Sequence, residues 1–197
     1  QINLYGISYG ATAAQVYLQR HPSHVRTVLL ESGTALGVPI YERFPAASQH
    51  ALDLLFARCA TDRACHAAYP DPAADLRAVT ARLDRGPVDT NVTDPATGQP
   101  VRLARQGLGQ FLLGLLSDSQ TAAVLPRLLH SAARGDWADV FAAVPRPPTS
   151  DAAPTWQLMN LTINCHEPEE RLRQAETEAA AAGSFLSYAD MQSMVNP

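Results

Sequence analysis

The sequence contains no lysine; all 15 of its basic side chains are arginine. Together with its abundant alanine and its 15 prolines, this reads as the coding bias of a GC-rich genome and says little about function. Positive charge is scarce: 19 acidic residues leave a formal net charge of −4, which excludes the basic footprint of a nucleic-acid-binding protein. No apolar run approaches the roughly 20 residues of a transmembrane helix, so no membrane partner is expected. Cysteine is limited to three residues, and only His66 lies near the Cys59/Cys65 pair, without a second ligand pair. Neither a metal nor a cofactor is expected. A leader peptide is also missing. However, Gln1 stands directly before a strand and a sharp turn, so that absence has no bearing on export, and the chain reads as a piece of a longer protein.

What is present begins with Gly6-Ile7-Ser8-Tyr9-Gly10, a G-x-S-x-G sequence. A short apolar run, Ile2 to Tyr5, precedes it, and a helix-like stretch from Ala11 to Gln19 follows. Strand, tight turn and helix are the context of a nucleophile elbow, in which a serine hydroxyl is raised above the end of a strand. Ser8 is therefore the candidate nucleophile, and the backbone N–H of Tyr9 the candidate oxyanion-hole donor. The glycines on either side are expected to let strand and helix backbones approach.

His21-Pro22 stops the first helix, and Val25 to Glu31 reads as a second strand with a continuous apolar end, suited to a parallel sheet. Residues 1–37 thus form a strand-helix-strand unit. Beyond Gly33, Gly37 and Pro39 the pattern turns helical. Ala46 to Arg58, Pro72 to Arg85, the Leu108–Leu116 stripe and the Val124–Leu129 stripe predict helices, with Asp118 or Ser119 capping the last. Asp136 caps a short helix carrying Trp137 and Val140. Val88–Val92 and Val101–Leu103, joined by Asp94-Pro95-Ala96-Thr97-Gly98, predict a small hairpin. The expected architecture is α/β: residues 1–37 as partial core, 38–185 as a mostly helical block, and 186–197 as the start of a return to the core. The block reads as an insertion capping the sheet or as an independent helical domain. As a cap, it would shape a pocket over Ser8 and keep water out.

Cys59 and Cys65 flank a short loop before the turn-rich Tyr69-Pro70-Asp71-Pro72. They read as a local disulfide, favouring an oxidising compartment, or as two free thiols on a helix end. Cys165 pairs outside this stretch or is a buried free thiol. It belongs to an unusual run, Ile163-Asn164-Cys165-His166-Glu167-Pro168, that passes from apolar into charged sequence. His166 reads as a loop histidine. Glu167, ahead of Pro168, is placed to point into a cleft.

The stretch Asn3-Leu4-Tyr5-Gly6-Ile7-Ser8-Tyr9-Gly10, with Tyr17, His21-Pro22 and Val25-Arg26 after it, resembles the α/β-hydrolase superfamily, in particular its proline iminopeptidase and tripeptidyl-aminopeptidase branch. The Cys59…Cys65…Tyr69-Pro70-Asp71 pattern and the Ile163–Glu167 run resemble the cap of secreted bacterial members. The resemblance implies a fragment of an α/β-hydrolase fold with a helical cap, placed outside the cell or in the cell envelope. It implies a serine exopeptidase whose substrate is a peptide with a free N-terminus. It also implies that the catalytic aspartate and histidine follow the cap, and that the glycine-rich oxyanion loop precedes the elbow. All three would lie in complementary core segments outside this chain. A free α-amino group needs carboxylates to pair with; Glu167 and then Glu31 are the candidates. An esterase or lipase-like enzyme shares the elbow and is the alternative activity. A catalytically inactive fragment, or a cap serving as a binding module, is the alternative class.

Overall fold

The computed structural model describes residues 1–95, 97–143, 158–159, 162–163 and 173–195. It is a mixed α/β structure, mostly helical, with two small sheets. The first 31 residues form strand β1 (Ile2–Ile7), helix α1 (Tyr9–Arg20), a 3-10 turn (Pro22–His24) and strand β2 (Val25–Glu31). β1 and β2 pair in parallel, from Asn3 opposite Thr27 to Ile7 opposite Glu31. α1 lies on the face that carries Gly6, and its Ala11 and Ala14 are buried there. Side chains alternate along a strand, so the opposite face carries Tyr5, Ile7 and Leu29. These are 60%, 52% and 62% exposed.

A connector over 32–39 leads into the helical block. Its elements are α2 (Ile40–Thr61), α3 (Arg63–Ala68), α4 (Pro72–Asp84), a hairpin of β3 (Val88–Thr93) and β4 (Pro100–Leu103), then α5 (Arg105–Leu116), α6 (Ser119–Ala123), α7 (Leu125–Ala133) and α8 (Ala138–Ala143). Among the described residues the block closes with α9 (Gln174–Ala181) and α10 (Tyr188–Val195). The stripes on α4, α5 and α7 converge: Leu76, Val79, Leu112, Leu125 and Leu128 lie in one continuous core. Every described member of that core lies between Tyr41 and Met194, so the sheet unit contributes nothing to it.

Side-chain caps fix several helix starts, but Asp118 caps the short α6 and not α7, the helix of the Leu125–Leu129 stripe, which starts without a side-chain cap. Asp118 accepts from the N–H groups of Gln120 and Thr121, and Asp71 from that of Ala74. Asp136 accepts from the Ala138 N–H and from Asn91, which holds its carboxyl below the usual range and ties the hairpin to α8. The start of α2 also differs from the sequence reading. α2 begins at Ile40 and runs through Pro45, not from Ala46. Tyr41 and Phe44 pack on the core there, and that burial outweighs the backbone hydrogen bond that proline removes. Over 186–195 the chain packs on the helical block. Leu186 and Met191 are fully buried in the helical core. Ser187 and Asp190 form a reciprocal cap at the start of α10: the Asp190 carboxylate accepts from the Ser187 N–H, and Ser187 Oγ from the Asp190 N–H.

Cys59 and Cys65 are joined in a disulfide that ties the last turn of α2 to α3. Cys165 lies outside the described residues. No helix among the described residues is long and apolar enough to cross a membrane.

The block is further clamped by Glu42 near the start of α2. Its side chain is 7% exposed and accepts from the backbone N–H, Nε and Nη2 of Arg173, ahead of α9, with side-chain distances of 2.6 and 2.7 Å. The hydrogen bonds from Arg173 hold the Glu42 carboxyl below its ordinary value, against the opposing effect of burial. Arg173 is 60% exposed, so solvent screens the pair and it is worth less than a fully buried ion pair. A lowered carboxyl gives stability that is present above its unfolded value and is lost as pH falls through the folded one. Arg173→Met is therefore expected to destabilise the block at pH 7, with a deficit that shrinks as pH falls through the lowered Glu42 value. Urea unfolding of the two proteins across that pH range measures it. Removing the disulfide as Cys59→Ala/Cys65→Ala should cost about 2 kcal/mol, the chain-entropy figure for so short a loop, read from the same unfolding curves.

Candidate active site

Ser8 stands between β1 and α1, at φ 54° and ψ −127°. A non-glycine residue there is strained by about 1–3 kcal/mol. The Ser8 N–H still belongs to the sheet, donating to Glu31 O at 2.9 Å. Its carbonyl already belongs to the helix, accepting from the Ala11 N–H at 2.9 Å. One residue therefore makes the whole reversal from extended to helical backbone, and its hydroxyl is exposed at the C-terminal edge of the sheet.

The glycines divide unequally. A Cβ on Gly6 would lie 2.3 Å from the carbonyl oxygen of Gly10, so Gly6 is required for strand and helix to touch. Gly10 itself faces open space, which departs from the expectation that both glycines serve the close approach. A third glycine, Gly33, takes the corresponding role on the other strand: its Cβ would meet that of Ala11 at 2.4 Å and the Ser8 carbonyl oxygen at 3.3 Å. The loop after β2 is thus pressed onto the start of α1. Gln15 holds it there, donating to the Thr34 carbonyl at 2.6 Å and accepting from the Leu36 N–H at 3.3 Å, while the hydroxyls of Thr12 and Thr34 lie 3.1 Å apart.

Tyr9 opens α1, so its N–H sits at the positive end of the helix dipole, one residue beyond Ser8. Glu31 ends β2 opposite Ile7, and its backbone is the one that Ser8 bonds. Its carboxylate accepts from the Tyr5 hydroxyl at 2.5 Å on the open face of the sheet. That hydrogen bond raises Tyr5 above the ordinary phenol range, so the phenol stays a donor at neutral pH. The structure thus brings Ser8, Tyr9 and Glu31 to one edge. Glu167 and His166 lie outside the described residues.

The Ser8 hydroxyl has no hydrogen-bond partner among the described residues, and no described histidine bonds it. His21 and His24 stack on each other at the far end of α1. His50 and His66 are exposed on the helical block. His130 is engaged with Asp75, Nδ1 to Oδ2 at 3.0 Å, where α7 meets α4. That pair was not legible in the sequence, because 55 residues separate its members. Three clefts, of about 670, 510 and 340 Å³, are lined by residues of the helical block. None of the three is lined by Ser8, so the pocket expected above the nucleophile is not formed by these walls. No group of described residues is arranged to hold a metal ion.

One residue escaped the sequence reading. Ser32 follows β2 as Ser8 follows β1, and it too has a positive φ, 53°. Only the register of the two strands puts the two serines side by side.

The glycine geometry gives a paired prediction. Gly6→Ala should destabilise the strand-helix-strand unit by about 3 kcal/mol or more, because the clash is with backbone that cannot yield. Gly10→Ala should be neutral or stabilising by about 0.5–1 kcal/mol, as alanine favours helix and meets nothing there. Amide hydrogen exchange over residues 2–31 reads both.

No family model matches this chain, and no curated protein or solved structure was found to be similar to it, so its activity has to be argued from the turn at Ser8.

Proposed function

We propose that the protein to which this chain contributes is a serine hydrolase, an aminopeptidase acting on peptides with a free N-terminus. One observation carries the reading: Ser8 is held at φ 54°, ψ −127° between a parallel strand and a helix. Strained backbone of this kind is concentrated at functional sites, and a strand-serine-helix turn raises the hydroxyl where a substrate carbonyl can approach it. Ser8 Oγ attacks that carbonyl, the Tyr9 N–H donates to the developing oxyanion, and the leaving amine departs to give an acyl-enzyme that water then hydrolyses. The general base and its orienting acid come from residues beyond those described, in complementary core segments of the parent chain.

Glu31 is the described carboxylate best situated to pair with a substrate α-ammonium, since it ends the strand beside Ser8 and its side chain is held by the Tyr5 hydroxyl. Glu167 remains the second proposed anchor, on the resemblance alone. The Cys59–Cys65 disulfide is compatible with an oxidising, extracellular or envelope location.

The test is labelling by a fluorophosphonate, together with turnover of a tripeptidyl arylamide, on the full gene product. Ser8→Ala should abolish labelling and lower kcat by about 10⁴-fold or more. N-acetylation of the substrate should lower kcat/KM by about 10–100-fold, the worth of a charged hydrogen bond. Turnover that ignores the acetyl group, with rapid hydrolysis of short-chain esters, would assign an esterase instead.

A further inference from the structure

Seven described residues have positive φ. Five are glycines: Gly37, Gly86, Gly98, Gly135 and Gly183. The two that are not are Ser8 and Ser32, at φ 54° and 53°. Elsewhere the chain answers a left-handed backbone with glycine, the residue that suffers no Cβ penalty there. At these two positions it does not, and they are neighbours. The register runs from Asn3 opposite Thr27 to Ile7 opposite Glu31, so Ser8 and Ser32 are the next residues of each strand. Adjacent strands lie about 4.8 Å apart. Both serines stand at the C-terminal edge of a parallel sheet, where open α/β sheets bind their ligands.

Local structure does not account for a serine at 32. Its hydroxyl makes no hydrogen bond to any described residue, so it supplies none of the local bonds that excuse Asn or Asp in this conformation. The loop is fixed by its neighbours instead, through Gly33 against Ala11 and Gln15 on Thr34 and Leu36. Ser32 is exposed, beside an exposed Ser8.

We propose that Ser32 is a substrate-contacting residue of the Ser8 site, whose hydroxyl hydrogen-bonds a peptide group of the substrate next to the scissile carbonyl. This rests on the hydrolase reading above. A hydroxyl both donates and accepts, which suits a peptide unit presenting an N–H and a C=O. It also implies that a small ester-like or phosphonate probe, lacking that peptide group, reaches Ser8 without Ser32.

The experiment compares Ser32→Gly, Ser32→Ala and Ser32→Asn in the full gene product. Glycine removes the hydroxyl and relieves the backbone; alanine removes the hydroxyl and keeps the strain; asparagine keeps a polar group and tolerates a positive φ. Kinetics on a tripeptidyl arylamide, the rate of fluorophosphonate labelling, and the melting temperature are read for each. The expected result is a fall of about tenfold in kcat/KM for both the glycine and the alanine variants, with labelling unchanged and the glycine variant no less stable than wild type. Asparagine should recover part of the loss. Wild-type kcat/KM in the glycine variant overturns the proposal. Labelling that falls in step with turnover also overturns it, since Ser32 would then be acting on Ser8 and not on the substrate. Absence of labelling in the wild type, against the Ser8→Ala control, removes the hydrolase reading itself and is distinguishable from both.

Discussion

The organisation of the first 36 residues follows from one constraint: at Ser8 a backbone must leave a sheet and enter a helix within a single residue. The N–H of Ser8 is still bonded to Glu31 and its carbonyl is already bonded by Ala11. Ser8 makes both bonds at a positive φ, where an ordinary helix start would use extended backbone. The start of the helix is then drawn against the strand, which leaves no volume for a side chain at Gly6. The same crowding reaches β2, whose exit loop passes so close to Ala11 that position 33 must also be glycine. Gln15, Thr12 and Thr34 then fasten that loop to α1. Ser8 and Ser32, the two described non-glycine residues with positive φ, both stand just past a strand end.

The helical block obeys a different logic. It holds its own core, closed on itself by Leu186 and Met191 and clamped by Glu42 with Arg173. Asp190 is fully buried, with one carboxylate oxygen used by Ser187 and the other left unpaired against Gly109. Leaving such an atom without a partner costs about 1–3 kcal/mol. The cap of α10 and the burial of its flanking residues outweigh that cost and hold the helix on the block.

Much of this was legible from residue spacing. The stripe on α4, the Leu108–Leu116 face, the hairpin and the aspartate caps are local patterns, and local patterns survive in a sequence. What was not legible depended on contacts between distant positions. Pro45 reads as a helix breaker until Tyr41 and Phe44 are seen to be buried. Asp75 and His130 have no common motif. Glu42 lies 131 residues from Arg173, and neither has a neighbour that announces the pair. At the site the division is the same. Ser8 was found because G-x-S-x-G is written in one stretch. Ser32 was missed because its relation to Ser8 is a matter of strand register, and a register is not a sequence pattern.

The two units therefore differ in how far their geometry can support itself. A parallel pair of strands is ordinarily one part of a sheet covered on both faces, and two strands alone give little independent stability. Here one face is covered by α1 and the other presents Tyr5, Ile7 and Leu29 to solvent. The core of the helical block takes no residue from these strands, so its packing does not secure them. Strain at Ser8 of about 1–3 kcal/mol is comparable with what so small a unit can hold. A rigid nucleophile turn thus requires burial that the described residues do not provide, and the proposed complementary segments would supply it by covering that open face. Under the proposed function, a base for Ser8 and a cover for the open face of the sheet are one requirement. On that proposal, the segments that would bring a base to Ser8 are those that would hold its backbone in the strained conformation.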